Sequence, residues 1–389
     1  MQIGLEAIRL THVRVPLHEP FVISSGAVAD KDAVLVELMT AGGVGLGEAS
    51  PMAGTFYSGH TPETTWAVLT ERIVPLLGGA NGMVLSGLAA AMAECGDPFA
   101  CCGIETAVWD AVARTRGVSL SAMLGGTPGV RPDSGLAVGI YDDVETLLAR
   151  IGQFVEQGGY RRVKIKVQPG WDVEPLRAVR RIWPDLVLTV DANAAYTADH
   201  IEHLCAWDEF SLAMIEQPFA TKDLATHAEL AKRCCTPICL DESATDAATV
   251  IDAIERGACG IVNIKLQRVG GFAAALAVHD AARDRGVGCW VGTMPELAVG
   301  GWAAAHFATL PNIRYPTDVE ASDRWFVADV TTPTIRCEDG CLTIPDGPGL
   351  GVTLNADIVR QFAVRSCEVR LGATIVFDGP VGPAARCSA

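Results

Sequence analysis

The stretch VKIKVQPGWDVEPLRAVRRIWPDLVLTVDAN, residues 163–193, decides the fold. It begins with a short β-branched apolar run, passes through an amphipathic segment, and returns to a second apolar run that ends on Asp191. That is one β-α unit followed by the next strand. The same texture repeats from Ser134 onward: "GLAVGI", "RVKIKV", "LVLTVD", "LAMIEQP", "PICLDES", "GIVNIK" and "VGCWVG" alternate with helical segments, and a final short run lies near "NIRYP". Seven or eight such units at a period near 25 residues form a parallel sheet, which closes most readily into a barrel. An open doubly wound sheet would need a phosphate-binding glycine turn after its first strand, and none follows.

Working outward, residues 7 to 48 alternate apolar and polar in strand-like runs joined by "AGGVGLGE", the pattern of antiparallel β structure with a glycine-rich turn. No helix opens after "GVGLG", so it is not a dinucleotide-binding turn. Helical patterns fill residues 62 to 77 and roughly 85 to 124. Val74 to Ala93 carries no charge, yet Pro75, Asn81 and its glycines mark it as a helix end, a loop and a second buried helix rather than a membrane span. After Thr317 the pattern degrades, and "DGCLTIPDGPGLGV" reads as a hairpin returning to the first domain. The expected division is 1–130 as an α+β capping domain, 131–319 as the barrel and 320–389 as a segment returning to the cap.

The chain has 389 residues, 49% hydrophobic and 20% charged, a globular balance. Its formal charge of -16 repels a phosphate backbone over most of the surface, so nucleic acid is not an expected partner. Thirteen irregularly spaced cysteines and no signal-peptide pattern fit a reducing cytoplasm. "CCTPIC" and the Cys337/Cys341 pair lack a second ligand pair at zinc-finger spacing.

The strand ends carry charge in register: Lys166, Asp191, Glu216, Asp241 and Lys265 are separated by 25, 25, 25 and 24 residues. One gap equals one β-α unit, which places all five at the C-terminal rim of the barrel, where catalytic residues of this architecture lie. Three converging acids repel one another unless a cation lies between them. Oxygen ligands without histidine or cysteine favour Mg²⁺, with Mn²⁺ as the alternative. Helix capping accounts for a single aspartate at a strand end, not for three acids in register flanked by lysines. Strand periodicity puts Lys164 and Lys166 on one face, pointing into the barrel mouth. A neighbouring ammonium, the cation and partial burial are expected to disfavour the charged form of Lys166 and make it a usable base. Lys265 lies roughly across the barrel, addressing the opposite face of a substrate carbon.

These residues resemble the enolase superfamily, and within it the muconate lactonizing enzyme subgroup. The motifs are "KIK" (164–166), "DAN" (191–193), "EQP" (216–218), "DES" (241–243), "NIKLQRVGG" (263–271) and "GTMPELAVGG" (292–301), with "GIETAVWDAVARTRGVSLSAMLGG" resembling the helical segment before the barrel. The resemblance implies a (β/α)7β barrel with an α+β capping domain built from both termini. It also implies Mg²⁺ on Asp191, Glu216 and Asp241, Lys166 and Lys265 as the acid/base pair, Lys164 assisting at the carboxylate, and Asn193 beside the metal. A small-molecule carboxylate is the implied substrate, no membrane is involved, and such proteins commonly form homo-oligomers.

The implied chemistry is abstraction of a proton α to a carboxylate, giving an enediolate. "LPNIRYPTDVEASDRWFVADV" with "LTIPDGPGLGV", and "MAGTFYSGHTPETTWAVL" in the cap, look most like the o-succinylbenzoate synthase and N-succinylamino acid racemase group. A muconate-type cycloisomerase, another racemase or epimerase of the superfamily, an acid-sugar dehydratase and a catalytically silent metal-binding barrel are the rival expectations. Phe21 to Gly26 and Met52 to Gly59 are expected to be loops closing over the mouth, with Phe21, Met52, Phe56 and Tyr57 giving apolar contact and Met294 and Glu296 joining from the barrel. Pro295 departs from the family pattern beside that pocket. His200 and His203 read as solvated surface far from the rim, and Trp109, Trp290 and Trp302 as core.

Overall fold

The computed structural model describes residues 1–379 except Phe56. Alternation in the first 49 residues becomes three antiparallel strands, β1 (Gln2–Ile23), β2 (Gly26–Thr40) and β3 (Gly43–Ala49). The far edge of β1 is covered by the C-terminal strand Ala363–Val376, which pairs antiparallel along it and then parallel with the two-residue strand Met83–Val84. Residues 363–376 are thus a strand of the cap sheet.

Helix α1 (Pro98–Arg116) lies on this sheet. Asp97 caps its first turn, accepting from the Phe99 and Ala100 amides at 2.9 and 3.1 Å, and Gly117 ends it with a φ of 68°. The glycine-rich "GVGLG" has a packing cause. A Cβ on Gly47 would sit 1.9 Å from the Gly103 carbonyl oxygen, so only glycine lets β3 and α1 approach this closely. Trp109 on α1 is fully buried, as expected of a core anchor. Among the described residues no helix is long and apolar enough to cross a membrane, and Val74–Ala93 is two helices, Val74–Gly78 and Leu85–Ala93, with a turn and short strand between.

The barrel strands are β4 (Leu136–Val138), β5 (Val163–Lys166), β6 (Leu188–Asp191), β7 (Met214–Glu216), β8 (Ile238–Leu240), β9 (Ile261–Ile264) and β10 (Gly288–Val291). All run parallel in sequence order and are buried throughout, and their helices cover the outside. Residues 312–318 close the ring. The Arg314 and Asp318 amides donate to Cys289 and Val291 carbonyls at 2.8 and 2.9 Å, while Thr317 exchanges bonds with Asp133 and Gly135, each at 2.8 Å. This is the (β/α)7β barrel, its last strand too irregular to form a full ladder.

The hairpin predicted in "DGCLTIPDGPGLGV" exists as Cys337–Glu338 paired with Cys341–Leu342. Its first contacts are with the start of the barrel, through Ser134–Gly340 and Leu342–Pro132 backbone bonds of 2.8 Å, and the following stretch returns to the cap: the Leu350 amide bonds Asp110 and the Val352 carbonyl accepts from Arg114, both on α1, while Gly349 bonds Val118 and Leu120 just beyond it.

Candidate active site

The pleat of β5 turns Lys164 and Lys166 inward together, and the parallel register sets Lys166 opposite Asp191 and Asp191 opposite Glu216. Asp241 follows β8 by one residue. All three acids are fully buried, and one carboxylate oxygen of each lies within 4.8 Å of the other two. Such crowding is costly for carboxylates without a cation. Burial, followed by the charges of Asp191 and Asp241, pushes the Glu216 carboxyl up to about 8 against the opposing pull of Lys164. Glu216 Oε2 is buried and accepts no hydrogen bond, although Lys164 Nζ lies 3.3 Å from it. An all-oxygen donor set with a free lone pair fits a hard divalent cation.

The lysines divide the triad between them. Lys166 Nζ donates to Asp191 Oδ2 at 2.6 Å and to Asn193 Oδ1 at 2.8 Å. Lys265 Nζ donates to Asp241 Oδ2 at 2.8 Å and to the Tyr57 hydroxyl at 3.1 Å. Lys164 turns deeper, to Asp318 at 2.5 Å, with Glu216 at 3.3 Å and Asp191 at 3.6 Å. Burial opposes its charge, but Asp318, Glu216 and Asp191 together hold its pKa above the ordinary lysine value. The expected repulsion between Lys164 and Lys166 is therefore offset by acids: Asp318, which the expectation did not include, takes Lys164, and Asp191 takes Lys166.

Chain segments 6–125 and 146–358 match the families described as "Mandelate racemase / muconate lactonizing enzyme, N-terminal domain" and "Enolase C-terminal domain-like". The chain belongs to the mandelate racemase / muconate lactonizing enzyme family of the enolase superfamily. It is 41% identical to an N-succinylamino acid racemase of Amycolatopsis over 95% of this chain and 99% of that protein. It is 39% identical to an o-succinylbenzoate synthase of Geobacillus kaustophilus over 93% and 96%. Among solved structures, an N-succinyl Arg/Lys racemase from Bacillus cereus superposes with a TM-score of 0.87 at 27% identity, covering 95% of this chain and all of that one. The relatives are enzymes, and so is this family member; enzymes of the superfamily use a divalent metal, and the triad has the donors to hold one.

Further residues set the site, and the sequence reading passed over them. Asn263 Nδ2 donates to Glu216 Oε1 at 2.7 Å. Arg268 binds Asp241 and also donates to the Asn263 and Ala244 carbonyls at 2.6 and 3.1 Å. Glu242 accepts from Asn193 Nδ2 at 3.0 Å. Gln217, at a φ of 39°, accepts from the Asp241 and Ser243 amides at 3.0 and 3.1 Å and so fixes the turn that presents Asp241. Asn263 lies two residues before Lys265, on the same strand face, so the period of two already carried that signal. Asp318 had none, because the short run near "NIRYP" breaks at Pro316 and pairs only by isolated bridges, so no register carries on to position 318.

Phe21 to Gly26 is the hairpin end between β1 and β2; its Val22 carbonyl accepts from Ile140 N at 2.9 Å, just past β4, which holds it at the barrel's rim. Phe21 lies 6.0 Å from Lys166 Nζ and packs edge-on against Trp325. Tyr57 reaches the metal side through Lys265, and burial followed by Asp241 raises its hydroxyl pKa. Met52 and Met294 line one small cavity together. Glu296 turns toward Lys31 and Glu48, with its oxygen on the Met294 amide at 3.1 Å. Phe56 lies outside the described residues. His203 is exposed, as expected, and its Nε2 bonds Asp172 at 2.8 Å, at the start of the helix Val173–Ile182 that follows β5.

Proposed function

We propose that the protein removes the α-proton of an N-acylated amino acid or a related carboxylate, acting as an N-succinylamino acid racemase and o-succinylbenzoate synthase. One observation carries this reading. Two amines, Lys166 and Lys265, hold different acids of one triad, Asp191 at 2.6 Å and Asp241 at 2.8 Å, and so flank a shared centre. A base on each side of a carbon is what racemisation requires, because the proton must leave from one face and return to the other. The printed names of the Amycolatopsis and Geobacillus relatives support the substrate class.

Asp191, Glu216 and Asp241 would hold Mg²⁺, whose charge stabilises the carboxylate as negative charge builds on it. Lys164, anchored on Asp318, adds positive charge at the same carboxylate. Lys166 takes the proton from one enantiomer and Lys265 from the other, and Tyr57 and Phe21 exclude water from the two amines. When the substrate bears a β-hydroxyl, that group leaves as water with a proton from a lysine ammonium at the site, giving dehydration. The reading includes a reducing cytoplasm, in keeping with free thiols at twelve described cysteines, and a homo-oligomer that sedimentation would reveal.

The test is solvent deuterium exchange with each enantiomer of an N-succinylamino acid. Lys166→Met and Lys265→Met should each lower racemisation by about 10²–10⁴-fold. Each variant should still exchange the α-proton of one enantiomer, and the two should prefer opposite ones. Exchange of both enantiomers at the wild-type rate by either variant would reject the two-base assignment. Mg²⁺ itself is tested by a melting-temperature rise on adding it to chelator-treated protein; no rise rejects it.

A further inference from the structure

A second charged cluster lies between the cap and the barrel, and the chemistry above does not use it. Lys31 on β2 is only 5% exposed. Its Nζ donates to the Ser50 carbonyl at 3.2 Å and the Met294 carbonyl at 3.0 Å. Those two carbonyls belong to different segments at the C-terminal rim of the barrel. Ser50 opens the stretch from Met52 to Gly59 that carries Tyr57, and Met294 sits in the turn after β10. The two segments are 244 residues apart in sequence, and Lys31, from a third place in the chain, bonds both.

Neighbouring groups hold each segment by its other end. Ser50 N donates to Gln267 Oε1 at 3.0 Å, two residues beyond Lys265. Glu48 accepts from Ser50 Oγ at 2.7 Å and from the Leu297 and Gly300 amides at 2.8 Å each, at the start of the helix Ala298–Phe307. Among the described residues no carboxylate lies within ion-pair distance of Lys31; Glu296, Glu48 and Asp32 act on it from farther off, and burial holds its pKa below the ordinary value. A buried ammonium with carbonyl partners alone is an expensive way to join two loops. A methionine of similar length would fill the space at lower cost, but it would leave both carbonyls unbonded.

Lys31 also borders the cavity that Met52, Met294, Pro295 and Phe326 line. Proline at 295 stiffens the turn that Lys31 holds, so the spacing of Met52 from Met294 is set by one side chain and one ring. We infer that Lys31 is a specificity-determining positioning residue, fixing the width of the apolar side of the pocket that receives the substrate's side chain. This rests on the racemase reading for its substrate class, though not for its geometry.

Two readouts on the full-length, Mg²⁺-supplied protein keep the two ideas separate. In Lys31→Met, amide deuterium exchange should rise at least tenfold in residues 50–55 and 292–297 together. With N-succinyl alanine and N-succinyl phenylalanine, kcat should stay within twofold while KM for the larger substrate changes at least fivefold, altering the preference between them. Lys31→Arg, which keeps charge and donors, should restore both. Should the methionine variant fail to fold, Lys31→Gln carries the same readouts. Exchange that rises in one segment alone or in neither, or a kcat that falls equally for both substrates, overturns the inference. If the wild-type protein racemises neither substrate, the proposed function fails, and the exchange measurement still judges Lys31.

Discussion

Asp318→Asn removes a charge from the floor of the site without changing its shape. Asp318 Oδ2 accepts from Lys164 at 2.5 Å and Oδ1 from Arg162 at 2.6 Å, and all three side chains are nearly inaccessible. Burial raises the Asp318 pKa, but Lys164 and Arg162 outweigh it and hold the carboxyl at about 2, against an ordinary value of 3.8. That difference, at 1.36 kcal/mol per unit, is worth about 2 kcal/mol of stability at neutral pH. Removing one partner of a buried ion pair outright costs about 3–5 kcal/mol. Asparagine still offers one oxygen, so the loss should fall near the lower figure, about 2–3 kcal/mol. The folded pKa lies below the unfolded one, so this contribution is complete above about pH 4 and disappears as the pH falls toward 2. Urea unfolding followed by tryptophan fluorescence should therefore show the variant less stable at pH 7, with the gap from wild type starting to close below about pH 4. Lys164, released, would move toward Glu216 and Asp191 and compete with the cation, weakening Mg²⁺ binding about tenfold, a cost of about 1.4 kcal/mol. Equal stability at pH 7, or a gap that stays constant down to pH 3, would refute the claim that Asp318 neutralises Lys164.

Three other outcomes follow from particular contacts. A Cβ on Gly292 would lie 2.4 Å from Asn263 Oδ1, so Gly292→Ala should push Asn263 off Glu216 and lower kcat about tenfold while the melting temperature changes little, read by kinetics beside calorimetry. His306 is fully buried, accepts from Ser121 N at 3.1 Å and bonds the Leu350 carbonyl at 3.2 Å; burial lowers its pKa to about 4. Its folded pKa lies below the unfolded value, so stability should fall by about 3 kcal/mol as the pH drops from 6.5 to 4, and His306→Asn should lose that dependence in pH-resolved urea titrations. Mg²⁺ at about a hundredfold excess over its Kd should stabilise the protein by about 2.7 kcal/mol, and Glu216→Gln should abolish most of that gain in a thermal melt.

Sequence alone determined the barrel and the inner ring of the site, because both depend on local periods. A strand alternates every two residues and a β-α unit repeats every 24 or 25, and these two periods alone bring Lys164, Lys166, Asp191, Glu216, Asp241 and Lys265 to one rim. Asn263 was legible on the same grounds. Asp318 was not, since its stretch of chain, preceded by Pro311 and interrupted by Pro316, closes the barrel by isolated bridges and carries no apolar alternation. Tertiary structure decided whatever the cap contributes. Tyr57 meets Lys265 across 208 residues of chain and Lys31 meets Met294 across 263, contacts that no period encodes because they arise when one folded unit docks on another. The tail also needed the fold for its meaning: Ala363–Val376 becomes a cap strand only because β1 presents an unpaired edge to it, and an open edge is a property of the assembled sheet rather than of either segment.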